Sequence, residues 1–184
     1  MAADIEKSEK HKLMHLSEIS LMLDTYDDIF SDFDPRPYSE RALSDDFLVE
    51  MKRASRDKPS GGISLNMQIP KREHNLGTEK IIKNRLRDHF KHHHDILHAE
   101  IQKLRIQGTL IAIIGFVLMG TAIMLGDLGI TPRIVTMALV VLEPSGWFAM
   151  WFGFDKIFYT AGSRKPDLTF YEKMIKCDIV FLPY

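Results

Sequence analysis

The chain has 184 residues, a net charge of −1 and one cysteine. This near-neutral charge gives no indication of a nucleic-acid partner, and a single cysteine excludes a disulfide within the chain. Charged side chains are frequent in residues 1–105 but rare in residues 106–154. The composition therefore predicts a polar, folded part and an apolar part.

Three segments of the polar part have the pattern of β-strands. After a polar segment, residues 1–16, apolar and polar side chains alternate in residues 19–24 and 63–70. Between them, Ser44 followed by two aspartates predicts a helix start. Strand, helix and strand of these lengths suggest a parallel βαβ unit. We expect a third strand at residues 178–184 to join the same sheet, so that both ends of the chain close one small α/β domain.

Residues 24–41, DTYDDIFSDFDPRPYSER, predict an irregular loop rich in aspartate and proline. Clustered carboxylates could bind Mg²⁺ or Ca²⁺, but the spacing lacks the glycine-centred EF-hand pattern. The alternative is a rigid structural loop, because each proline fixes its own φ and restricts the residue before it. The structural candidates in this loop are Asp34, Pro35, Pro37, Tyr38, Glu40 and Arg41.

A long helix is predicted from Thr78 into the apolar part, because the chain has no proline there and reaches glycine only at 108. Its apolar positions are three or four residues apart, which is close to a coiled-coil pattern. Such a narrow stripe needs a partner, either the small sheet or another copy of the chain. We predict a homo-oligomer through this stripe and a following face of small residues. The candidate contact residues are Leu86, Phe90, His93, Leu97, Ile101, Leu104, Gly108 and Ala112.

Five histidines lie on this predicted helix. Pairs that are four residues apart share one helix face, which is a possible metal-binding geometry. The alternatives are a solvated polar face and, for His93, a buried neutral ring or a pH-sensitive contact between copies. The candidate metal ligands are His89, His93, His94 and His98.

Two apolar runs predict a transmembrane helical hairpin. Residues 106–126 and 134–154 are each long enough to cross a bilayer, and the short loop 127–133 joins them. Lysine and arginine flank the outer ends of both runs, whereas the loop contains only one arginine. We therefore expect both termini in the cytoplasm, with residues 17–105 forming the α/β domain and stalk helix and residues 155–184 completing that domain.

The second run contains a carboxylate, Glu143, next to Pro144 and Ser145. A charged carboxylate that faces lipid is unfavourable by roughly 2.5–3.5 kcal/mol or more. We expect Glu143 to point toward the first span or a neighbouring copy, and we expect the helix to kink near Pro144. Glu143 and Ser145 would then form either a structural hydrogen bond or a proton or cation site. Trp147 and Trp151 would mark the cytoplasmic membrane interface.

Two segments resemble the signature motifs of a family of uncharacterised bacterial two-span membrane proteins. FSDFDPRPYSERAL, beginning at Phe30, is similar to that family's DPSPF-x-ER motif. GWFAMWFGFDKIFY, which contains Gly146, Trp147 and Trp151, is similar to its GWVALW motif in the second span. Arg36 replaces a small residue of the family pattern. The resemblance implies a topology and a prokaryotic inner membrane, but it implies no activity.

The sequence has no nucleophile–base pair, phosphate-binding loop or zinc signature. We therefore predict a membrane protein of the α+β class that is not an enzyme, needs no cofactor and does not bind nucleic acid. It would associate with itself in the lipid bilayer and act as a scaffold or as an accessory subunit of another membrane protein. The alternatives are an oligomeric ion channel or proton-coupled pathway through Glu143, and a pH- or metal-responsive module through the helix histidines.

Overall fold

A computed structural model describes residues 18–58, 63–129 and 132–184. The chain divides into two compact units. The sheet domain consists of residues up to Asp95 together with Asp167–Tyr184. The helix pair is formed by Ile96–Pro166. One long helix contributes residues to both units.

The sheet domain contains a parallel sheet of three strands. These are β1 (Glu18–Met22), β2 (Ser64–Ile69) and β3 (Asp178–Pro183), and β2 lies in the middle. The predicted three-strand sheet is thus confirmed. The prediction that the last strand joins the first two is confirmed as well, because Leu65 of β2 pairs with both Ile19 and Ile179.

The alternation of side chains gives the sheet one buried and one more exposed face. On the buried face, Leu65 and Met67 of the central strand are fully covered, and their neighbours Ile19 and Ile179 are 1% exposed. Burying one such side chain contributes about 1.5–3 kcal/mol. The opposite face carries partly exposed polar side chains and Met22.

The first two α-helices follow a short 3-10 helix (Tyr26–Ile29), and each begins after a polar residue. Helix α1 (Asp45–Ser55) follows the predicted Ser44, which has the extended backbone of an N-cap but makes no side-chain capping bond. Helix α2 (Leu76–Asp127) begins earlier than the predicted Thr78. The Asn75 side-chain oxygen accepts hydrogen bonds from the amides of Gly77 and Thr78, so Asn75 satisfies two of the free N–H groups of the first turn.

The C-terminal half of the chain is almost entirely helical. Helix α3 (Arg133–Phe154) is followed by a π-helical turn (Asp155–Thr160), a short helical segment (Ala161–Ser163) and helix α4 (Lys165–Lys176). Helix α3 runs without interruption through Pro144, the position at which the sequence predicted a kink. A proline removes one bond of the helical ladder, and the bonds of the neighbouring residues keep the helix continuous.

Two lysines join α4 to α1 inside the sheet domain. The ammonium group of the buried Lys173 donates hydrogen bonds to the carbonyl oxygens of Ser55 (3.0 Å) and Lys58 (2.6 Å), at and just beyond the end of α1. Lys52 of α1 forms an ion pair of 3.1 Å with Asp167 of α4. The C-terminal segment is therefore held by this helix contact as well as by β3.

Within the helix pair, glycines allow α2 and α3 to pack antiparallel at very short distance. A Cβ added to Gly115 would lie 2.5 Å from the amide nitrogen of Met150, and one added to Gly153 would lie 2.6 Å from the carbonyl oxygen of Gly108. Such close backbone approach is typical of helix association through small residues. Both helices are long and apolar enough to cross a membrane, and in their most apolar windows only 22% and 6% of the residues are buried.

Candidate functional sites

Glu143 lies on the exposed surface of the helix pair, not against α2. The prediction that it points toward the first span is therefore wrong. The contact face of α3 contains the buried Gly146 and Gly153, because only a residue without a side chain permits this close approach. Glu143 and Ser145 both lie outside this face. The other alternative of the prediction, that Glu143 points toward a neighbouring copy, stays a prediction.

Glu143 belongs to an exposed row on α3 that we call the Glu143 face. The members of the row follow one another at intervals of three or four residues, and all are exposed. The rings of its two tryptophans stack with their centroids 6.3 Å apart and an interplanar angle of 18°. The Glu143 face consists of Thr136, Val140, Glu143, Trp147 and Trp151.

The predicted oligomer stripe is covered within a single chain, which corrects that prediction. In the sheet domain Leu86 and Phe90 are completely buried, and Phe90 contacts the ring of Phe170 edge-on. In the helix pair Ile101 and Ala112 are only 4% and 5% exposed.

Three further members of the stripe are also engaged within the chain. Gly108 packs against the backbone of Gly153, and Leu97 and Leu104 are half-buried. A spacing of three and four residues indicates a buried helix face but does not distinguish contacts within a chain from contacts between chains. A homo-oligomer therefore has to use other surfaces.

The candidate metal-binding histidines do not converge on one point. In the part of the chain that the structure describes, no group of three or more His, Cys, Asp or Glu side chains could hold a metal ion. His89 and His93 have ring centroids 4.2 Å apart, and His93 stacks on Tyr171. His94 instead contacts Asp95 at 3.0 Å. The structure does not bring these three side chains together with His98 into a ligand set.

The imidazole of His89 is half-buried. Its Nε2 atom is covered and has no hydrogen-bond partner among the described residues. Burial, and secondarily the neighbouring His93, lowers the pKa of His89 to about 4. Burial also lowers the pKa of His93. Both rings are therefore packing groups of the sheet domain near neutral pH, since the neutral form is the one that burial favours.

The loop of residues 24–41 is held together by Asp34. Its carboxylate accepts a bidentate contact from the Arg36 guanidinium, with a shortest distance of 2.7 Å, and a bond from the amide of Ala42 at 2.7 Å. These hydrogen bonds, with Arg36 the largest contribution, hold the pKa of Asp34 well below its usual range. Pro35 and Pro37, on either side of Arg36, are exposed and limit the conformations of the loop.

Arg41 connects the same loop to the rest of the sheet domain. Its guanidinium donates to the carboxylate of Asp27 (2.5 Å) and to the carbonyl oxygen of Ser31 (3.1 Å). Its own carbonyl oxygen accepts a bond of 2.9 Å from Arg85 of α2. The Tyr38 hydroxyl also donates to the carboxylate of Asp27, and the amide of the exposed Glu40 donates to the carbonyl oxygen of Pro37. These contacts give the motif a structural role.

A buried carboxylate at the start of α2 was not identified from the sequence. Glu79 is 4% exposed; it accepts a hydrogen bond from the Tyr26 hydroxyl (2.9 Å) and contacts His74 Nδ1 (2.5 Å). The Tyr26 oxygen in turn accepts a bond of 2.9 Å from the amide of Asn75. Burial is the largest of the effects that raise the pKa of Tyr26 to about 12. The available signal was an acidic residue in the first helical turn, where the helix dipole stabilises a negative charge.

Comparisons with known proteins identify no relative. No family model matches the chain, and no curated protein and no solved structure is significantly similar to it. The resemblance of the two motifs to the bacterial two-span family therefore stays an expectation from the sequence.

Proposed function

We propose that this protein is an integral membrane protein of the prokaryotic inner membrane that associates with itself and acts as a scaffold or accessory subunit. In this proposal the helix pair spans the bilayer and carries the sheet domain on the cytoplasmic side. The length of α2 and α3 and their largely exposed apolar surface support insertion, because such a surface is unfavourable in water. The relationship to the bacterial two-span family is part of the same proposal.

The distribution of positive charge supports the orientation. Lys103 and Arg105 precede the first apolar run, and Lys156 and Lys165 follow the second, whereas Arg133 is the one basic residue of the connecting loop. Lysine and arginine accumulate at the cytoplasmic ends of membrane helices.

One observation carries the proposal of self-association, namely the exposed carboxylate of Glu143 in a row of otherwise apolar or weakly polar side chains. A carboxylate that faces lipid is unfavourable by roughly 2.5–3.5 kcal/mol or more, so contact with another protein surface is strongly favoured over contact with acyl chains. The glycine face of α3 is already occupied by α2, so the partner has to approach from outside the helix pair.

A second candidate function uses the same carboxylate as part of a proton-coupled or ion-conducting pathway in an oligomer. The exposure of Glu143 favours this alternative as well, because a group on the outside of the helix pair would face the interior of an assembly. The pH- or metal-responsive alternative has less support, because the described residues contain no suitable ligand group and the His89 and His93 rings pack on each other and on Tyr171.

Four measurements test the proposal. Carbonate extraction of membranes should leave the protein in the pellet, and cysteines placed near either terminus should be protected from a membrane-impermeant reagent in intact cells. Photobleaching of labelled protein in native-lipid nanodiscs should show more than one copy per disc. Proteoliposomes should show no ion or proton flux above that of empty vesicles. A monomer at every dilution would refute self-association, and a flux that Glu143→Gln abolishes would favour the pathway instead.

A further inference from the structure

We propose that a second copy of the chain covers the Glu143 face, with α3 packing against α3 of the partner copy so that the two Glu143 carboxyl groups meet. This inference rests on the proposed self-association in the membrane and specifies the surface and the partner. It differs from the sequence prediction, which used the stripe of α2 for the contact.

The packing of α2 on α3 leaves only part of the α3 surface for contact with another copy. The glycine face of α3 is filled by α2, which removes it from any contact between copies. The Glu143 face lies outside that contact, and its members recur at the spacing of a left-handed helix pair. Val140, Trp147 and Trp151 are 68%, 49% and 62% exposed, so this row offers a continuous apolar surface around one carboxylate.

A carboxylate inside the membrane needs a partner that donates a hydrogen bond to it. Residues 106–126 and 134–154 contain no lysine or arginine, so the spans of another copy offer no cation. The hydroxyl groups of Thr109 and Thr121 already donate to backbone carbonyl oxygens of their own helix. Another carboxyl group can complement Glu143, because a protonated carboxyl donates a hydrogen bond to an ionised one.

Copies with the same topology that are related by a two-fold axis along the membrane normal place each residue at the same depth as its equivalent. Contact along the Glu143 face then places Glu143 of one copy next to Glu143 of the other copy. A single polar position in an otherwise apolar helix contact also fixes register and the number of copies.

Disulfide cross-linking tests the geometry with a matched control. Cys177 is first replaced by serine so that each variant has one cysteine, and Val140→Cys and Val141→Cys are compared in membranes under a mild oxidant. Both valines are apolar, adjacent and similarly exposed, at 68% and 64%. However, they differ by about 100° around the helix. We expect Val140→Cys to form the disulfide-linked dimer and Val141→Cys to form little of it.

Substitution of the carboxyl group tests the chemistry. Glu143→Gln keeps a group that can both donate and accept hydrogen bonds, and it should keep the dimer in dilution experiments in nanodiscs. Glu143→Leu should raise the dissociation constant of the dimer about tenfold, the size expected for one hydrogen bond between membrane helices.

The outcomes separate this inference from the proposed function. Self-association with equal cross-linking of the two cysteines, or with no response to Glu143→Leu, would overturn the inference and leave the scaffold proposal standing. Cross-linking of Val140→Cys to a different protein but not to itself would also overturn it. A protein that is monomeric at all concentrations would overturn both.

Discussion

Replacing Lys173 by methionine should destabilise the sheet domain. The side chain is 9% exposed, and its ammonium group donates to the carbonyl oxygens of Ser55 and Lys58. Methionine keeps most of the apolar stem but supplies no donor. The substitution therefore removes the hydrogen bonds that connect the helix before β3 to the end of α1, while the volume changes little.

The contacts give the size of the expected effect. A hydrogen bond to a charged group contributes roughly 1.5–3 kcal/mol when it is lost from a buried site. The carbonyl oxygen of Ser55 also accepts the amide of Lys58, so it stays partly satisfied after the substitution. We expect a loss of about 2 kcal/mol in the free energy of unfolding, which is a substantial part of the ~5–15 kcal/mol of a typical domain.

Hydrogen exchange in nanodiscs measures this loss without unfolding the helix pair. For amides of β2 and β3 that exchange through unfolding of the sheet domain, 2 kcal/mol corresponds to about 30-fold faster exchange. The control is Lys176→Met on the same helix, because Lys176 is exposed. If Lys173→Met and Lys176→Met left the protection of β2 and β3 equal, the argument that Lys173 holds the C-terminal helix would be refuted.

Three further predictions follow from the described contacts. Tyr26→Phe removes the hydroxyl that donates to the buried Glu79 carboxylate and accepts the amide of Asn75. Urea unfolding should then show a loss of about 1–3 kcal/mol in the free energy of unfolding. His89 should titrate near its pKa of about 4 in the folded protein. Because the unfolded imidazole takes up its proton near 6.5, His89 should lower stability as pH falls from about 6.5 toward 4, and an NMR titration near 6.5 would contradict this. Gly115→Ala should lower the thermal stability of the helix pair in detergent, measured by tryptophan fluorescence, whereas Gly120→Ala should not, because an added Cβ there meets no described atom within 4 Å.

Much of the fold could be predicted because each element has a side-chain period that reports its environment. The alternation in residues 63–70 predicted a half-buried strand, and β2 occupies Ser64–Ile69. The length of the apolar runs predicted two long helices, and α2 and α3 include them. These signals are local, since they depend on which residues follow one another and not on what lies opposite them.

The partners of these elements were decided by the tertiary structure. The spacing from Leu86 to Ala112 indicates that this face of α2 is buried, but a periodic pattern is the same whether the cover comes from the same chain or from another copy. The residues that cover it, Phe170 of α4 and Gly153 of α3, lie far away in sequence. For the same reason, the sequence shows that the second span has a carboxylate, Glu143, but does not determine which way its side chain points. Glycines bring two backbones together on one face of α3, and that close packing leaves Glu143 on the outside.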